Sequence, residues 1–120
     1  MTFRPKTKSP IIPGISNEHS KRILNIFQPL KHDMSLILFG SRAKGNFREG
    51  SDIDIAVQCP TVTLKDRDVW SLQYDDLSLP WKLDLVIYHL ITEQKFIDHI
   101  NRVGIYLLCD PYHNHIENYK

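Results

Sequence analysis

Cysteine is scarce: Cys59 and Cys109 are the whole supply in 120 residues. Two are too few for a disulfide framework, and they lack the spacing of metal ligands, so both read as buried free thiols of a reducing, cytoplasmic setting. Long apolar runs are missing too. Nothing approaches the ~20 residues of a membrane span. The opening MTFRPKTKSPIIPG is basic and proline-punctuated, without the apolar core a signal peptide needs. No membrane association is expected. Charge of one sign is absent in the sum, since 15 Lys and Arg offset 14 Asp and Glu to leave +1. The molecule as a whole therefore does not attract nucleic acid strongly, which makes a nucleic-acid acceptor the lesser expectation. No repeat or low-complexity tract is visible. What remains is ordinary for one globular domain, with 42% hydrophobic and 24% charged residues. It is short for an enzyme that must hold two substrates.

The informative stretch is 36–57, LILFGSRAKGNFREGSDIDIAV. An apolar strand runs into the small-residue turn Gly40-Ser41, a basic loop follows, and a second strand opens on Asp52 and Asp54. Alternate strand residues share a face, so these two carboxylates converge while Ile53, Ile55 and Val57 are free to pack on the other side. Like charges this close repel unless a cation lies between them, and a hard divalent ion such as Mg²⁺ characteristically takes one or two carboxylates plus substrate phosphates. Gly40 and Ser41 let a phosphate approach the backbone closely. Arg42, Lys44 and Arg48 supply positive charge beside it, and a short helix starting at Ser41 would aim its N–H groups at the same anion. The expectation is a site for a metal-bound polyphosphate.

Gly40-Ser41, ten residues, then Asp52-Ile53-Asp54 resembles the signature of the DNA polymerase β-like nucleotidyltransferase superfamily. The fuller GSRAKG…SDIDIAV resembles its minimal nucleotidyltransferase branch. A third carboxylate between two apolar residues completes that pattern, supplied here by Leu83-Asp84-Leu85, and Pro80-Trp81-Lys82 resembles a subgroup encoded beside a helical partner. The resemblance covers about half of the chain. It implies an α/β nucleotidyltransferase fold, a small mixed sheet backed by helices. It further implies that Gly40 and Ser41 hold the β and γ phosphates of ATP, and that Arg42, Lys44 and Ser51 assist in binding the nucleotide. Asp52, Asp54 and Asp84 would bind two Mg²⁺ ions, with Asp84 nearest the attacking hydroxyl. Many members of this antitoxin branch carry arginine where Lys44 stands, and lysine offers a point charge rather than a fork. The implied partner is a HEPN-type helical toxin bearing the acceptor tyrosine, because only 36 residues follow Asp84 and one helix leaves little room for an acceptor-binding region. Two rivals remain: a non-catalytic nucleotide-binding antitoxin or scaffold, and a stand-alone enzyme acting on a small molecule.

Along the chain, 1–14 is expected to be a mobile arm, 15–109 the domain and 110–120 a polar tail. Ser16 or Asn17 caps a first helix with Ile23, Phe27 and Leu30 on one face, ended near Pro29. Strands are expected at 36–39, 52–58 and 82–89. Between the last two, a helix over 63–77 turns Val62, Val69, Leu72 and Leu77 inward and Asp66, Arg67 and Asp68 outward. Thr92 is expected to cap a helix with Phe96, Ile97, Ile100 and Val103 as its apolar stripe, ending at Gly104. Residues 105–109 suit a short strand or a docking segment, and His113 with His115 in the tail are metal ligands in principle only.

Overall fold

SLILF is apolar at four of its five positions, which suits a strand with no solvent face, and Ser35–Phe39 (β1) is buried at every position. The computed structural model describes residues 11–110. β1 lies inside a four-stranded sheet. It pairs antiparallel with Ile53–Gln58 (β2) on one side and with Ile105–Cys109 (β4) on the other. Leu83–Ile87 (β3) lies beyond β2 and parallel to it, giving the order β3-β2-β1-β4. A parallel pair needs a crossover, and Leu64–Asp75 (α3) provides it.

Pleating sends the two parities of each strand into separate cores. Leu36, Leu38, Ile53, Ile55, Val57, Leu85 and Leu107 pack beneath the helix Asn17–Asn25 (α1) and beneath α3. On the opposite face Ile37, Phe39, Ala56 and Tyr106 pack against Ile100, Phe96 and Val103 of Gln94–Val103 (α4). Gly40–Lys44 (α2) is a single turn and a half that follows β1 without a linker.

Several expectations change. Ile12 is fully buried, and the Pro13 carbonyl accepts a hydrogen bond from Arg42, so residues 11–14 belong to the domain rather than to an arm. Residues 1–10 and 111–120, with His113 and His115, lie outside the described residues. α1 is capped by Ser16, whose hydroxyl accepts from the His19 N–H at 3.1 Å. It stops at Asn25, and Leu30 joins the core from the following turn. The third strand ends at Ile87 because Tyr88–Leu90 tightens into a 3₁₀ turn. Glu93, not Thr92, precedes α4. Segment 105–109 is a strand at the edge of the sheet, with Tyr106 and Leu107 buried.

The largest correction is the phase of α3. Val69 and Leu72 are 46% and 66% exposed, while Trp70, Tyr74 and Leu77 face the core. Apolar residues lie all round this helix, so periodicity alone cannot choose its buried side. The rings decide it: Trp70 packs on Phe27 at 5.3 Å between centroids, and the Tyr74 hydroxyl reaches the Trp81 carbonyl at 2.6 Å.

Candidate active site

β1 ends where α2 begins, and Gly40 at that junction has φ +73, a conformation that side chains seldom tolerate. Phe39 is opposite Asp54 in the β1/β2 register, and a Cβ on Gly40 would run into the Asp54 carboxylate. Glycine is thus required twice over, for its backbone conformation and to let the turn lie directly against an acid. Ser41 follows, half-buried, and its carbonyl accepts from the N–H groups of Gly45 and Asn46 to close α2. Gly45 at φ 90 is the left-handed cap.

Across the parallel pair Asp54 is in register with Asp84. Asp52, two residues before Asp54, has the same parity just ahead of the strand, so all three expected carboxylates reach one face at one end of the sheet. Asp52 and Asp84 are exposed, and Asp54 is partly enclosed. Desolvation, then the nearby charges of Asp84 and Asp52, push the Asp54 carboxyl up to about 6, while Arg42 and Lys82 pull the other way. Among the described residues no three His, Cys, Asp or Glu side chains close into a preformed metal cage. The cluster is an open rim of oxygen donors crowded by its own charge, a donor set suited to a hard divalent cation that completes its shell with nucleotide phosphates and water.

The remaining expected site residues divide. Lys44 is exposed at the end of α2. Arg42 is instead 1% exposed, and burial holds its guanidinium below the usual arginine value while Asp54 and Tyr74 oppose that shift. Its four hydrogen bonds among the described residues end on main-chain carbonyls: Nη1 to Pro13 at 2.8 Å, Nη2 to Glu49 at 3.2 Å and to Ser51 at 2.8 Å, and Nε to Ser51 at 3.2 Å. Ser51 is occupied as well, its Oγ accepting from the Arg48 N–H at 2.8 Å. Arg42 and Ser51 thus engage the main chain of the loop itself.

Two residues escaped the sequence reading. Lys82 shares the parity of Asp84 and bears electrostatically on Asp54, and that same alternation rule could have found it. His99 on α4 stands edge-on to Phe39, 6.1 Å between ring centroids, with its pKa lowered by burial, Lys44 and Arg102. No local pattern connects position 99 to position 44.

A glycine turn laid against an acid, with a second acid in register on a parallel neighbour and a mixed sheet behind them, is the layout of a nucleotidyltransferase domain. The chain belongs to the Polymerase beta, Nucleotidyltransferase family, whose model matches residues 21–112. It is 31% identical over 100 residues to a Methanocaldococcus jannaschii protein named "Putative protein adenylyltransferase", covering 69% of this chain and 96% of that one. It is 29% identical over 92 residues to a Haemophilus influenzae protein named "Probable protein adenylyltransferase MntA", covering 76% and 80%. Among solved structures, a toxin–antitoxin with AMP-PNP superposes with a TM-score of 0.60 at 22% identity, covering 87% of each chain. The toxin–antitoxin MntA-HepT gives 0.55 at 17% identity, covering 87% and 86%. The fold and family expected from the motifs are therefore borne out. Among the described residues no helix is long and apolar enough to cross a membrane.

Proposed function

We propose that this nucleotidyltransferase moves AMP from ATP onto a tyrosine hydroxyl of a HEPN-type helical toxin and so acts as its antitoxin. The observation that carries the reaction class is the contact of Gly40 with Asp54, itself in register with Asp84. The adenylyl donor and the toxin partner are supported by the names of the relatives and of the similar structures.

In this reading Gly40 and Ser41 take the β and γ phosphates, and Lys44 offsets their charge. Asp52, Asp54 and Asp84 hold the divalent ions, which when bound stabilise charge on the attacking and leaving oxygens of an in-line displacement. The acceptor oxygen forms a bond to the α-phosphorus, and the bond from that phosphorus to pyrophosphate breaks. Asp84, exposed at the start of β3, receives the hydroxyl proton. Arg42 and Ser51 shape the loop that delivers Asp52.

Asp84→Asn tests the assignment. The wild type, incubated with Mg²⁺, ATP and the helical protein encoded beside it, should raise that protein's mass by one adenylyl group. In the variant, ATP–Mg²⁺ affinity should stay within a few fold while transfer falls by the ~10²–10⁴ typical of losing a positioned proton acceptor. Absence of any mass increment with the wild type, together with neutralisation of the partner by the variant in cells, would establish a binding-only antitoxin. Efficient transfer to a small molecule without a partner would establish the stand-alone enzyme.

A further inference from the structure

We propose that Arg42 is the positioning residue of this site: its buried guanidinium joins the Gly40-Ser41 turn, the loop before Asp52 and the segment before Asp84 into one rigid unit, rather than contacting nucleotide. The proposal rests on the carboxylate site described above and deepens it.

The geometry is specific about what is joined. Arg42 lies on α2, two residues past Gly40. Nε and Nη2 converge on the carbonyl of Ser51, one residue before Asp52, and Nη2 also reaches Glu49. The guanidinium carbon stands 5.2 Å from the Phe47 ring centroid and 6.0 Å from that of Trp81. Trp81 closes the circuit, because its indole N–H donates to the same Glu49 carbonyl at 3.0 Å. The next carbonyl, that of Lys82, accepts from the Ile53 N–H at 2.9 Å, directly between Asp52 and Asp54. Tyr74 ties Trp81 back to α3. On the far side Nη1 holds Pro13, and a Cβ on Gly14 would fall 2.8 Å from that nitrogen. Three stretches far apart in the chain meet on one planar cation.

Arginine is required for this by shape. Its donors spread in a fixed fork, so carbonyls from separate segments can be served together while the flat faces meet rings. A lysine ammonium at the same place would offer three donors from one point on a flexible stem, without the flat stacking surface. A phosphate ligand would need donors facing the cleft, whereas here the donors are engaged with main-chain oxygens in a nearly inaccessible place.

The test uses the full chain in a Trp70→Phe background, so that Trp81 is the one fluorescent indole. Arg42→Lys should shift Trp81 emission to longer wavelength and raise amide exchange at least tenfold in residues 46–52 and 81–83 together, leaving β1 and α4 as in the parent. Mn²⁺ affinity, read by electron paramagnetic resonance at a temperature where circular dichroism shows both proteins folded, should fall about tenfold. Trp81→Phe removes the indole N–H and part of the ring that faces the guanidinium while leaving Arg42 in place, and should give a smaller change in exchange at 46–52, which keeps the proposal testable if the lysine variant does not fold. Unchanged exchange in 46–52 in the folded variants, with ATP affinity lost, would make Arg42 a phosphate ligand. Unchanged exchange and unchanged Mn²⁺ affinity with a lower melting temperature would make it a stabilising residue only. A parent protein that binds no Mn²⁺ even in the presence of ATP would refute the carboxylate-site reading, while exchange still decides the role of Arg42.

Discussion

Asp54 shows how a single residue can oppose stability, a cost that the proposed site would explain. Its carboxyl is raised from 3.8 to about 6, first by desolvation and then by Asp84 and Asp52. The folded state therefore binds more protons than the unfolded state between those values, and stability falls as pH rises through that window, with the whole penalty present above about pH 6. Asp54→Asn removes the penalty. In chelator at pH 7 the variant should unfold at a higher temperature than wild type, by roughly 1 kcal/mol once the shift is discounted for a half-exposed group. Most of that gain should vanish at pH 4, and calorimetric scans at the two pH values read both. The same variant should lose divalent-ion binding. Gly40→Ala tests the adjoining contact: its positive φ alone costs about 1–2 kcal/mol with a Cβ, and the Asp54 carboxylate must also move aside. Titration calorimetry should show Mg²⁺-dependent ATP affinity falling more than tenfold in this variant. Gly40, Asp52 and Asp54 were legible in the sequence because their relation is local, a two-residue strand period and a turn, whereas Asp84, on a separate strand, was reached through the family pattern that Leu83-Asp84-Leu85 resembles. The engagement of Arg42 was not, because its partners are main-chain carbonyls, which every residue has and no sequence pattern marks.

At the scale of elements, α3 separates what local chemistry fixes from what packing fixes. Thr63 and Asp66 form a reciprocal capping box: the Thr63 N–H donates to Asp66 Oδ2 at 2.9 Å, and the Asp66 N–H donates to Thr63 Oγ1 at 3.3 Å. The hydrogen bond from the Thr63 backbone is the leading cause of the lowered Asp66 carboxyl. Thr63→Ala should cost about 1 kcal/mol in denaturant unfolding. Leu72→Lys should change stability by less than about 0.5 kcal/mol, since its side chain already faces water. The contrast inverts what an inward Leu72 would give, a large loss from placing an unpaired charge in the core. The start of α3 was readable at 63 because a cap is a matter of four neighbouring residues. Its phase was not, because the Phe27 ring that receives Trp70 and the Trp81 carbonyl that accepts from the Tyr74 hydroxyl come from elsewhere in the chain. The strands fared better, β1 as a continuous apolar run and β2 as an alternation, each matching its surroundings in the sheet.

For the whole molecule, the division of labour follows from the two cores. α1 and α3 cover one face of the sheet and α4 covers the other, and the carboxylates stand on the α4 side at the end of β2 and β3 where Asp52 and Asp84 are exposed. Exposed Leu64 and Leu90 border a groove of about 420 Å³ by Val86 and Ile87, toward the opposite end of β3 from Asp84. In the proposed reading nucleotide enters a rim that carries Asp52, Asp54 and Asp84, with Lys44 and Lys82 as the exposed counter-charge beside it. ATP alone, with its own four negative charges, should be repelled by that rim, and Mg²⁺ alone should find it incomplete. Binding should accordingly be cooperative, and the melting temperature should report it, since a ligand that binds only the folded state adds about 2.7 kcal/mol at one hundred times its dissociation constant. For a domain of this length that corresponds to roughly 10 °C. Scanning fluorimetry with Mg²⁺ and ATP together should approach this shift at saturation, while ATP with excess chelator, or Mg²⁺ without nucleotide, should move the transition by no more than about 2 °C. An equal shift from ATP in chelator would mean that the phosphates are held by the basic residues and the Gly40-Ser41 turn without the acids, and the aspartates would then have no part in nucleotide binding.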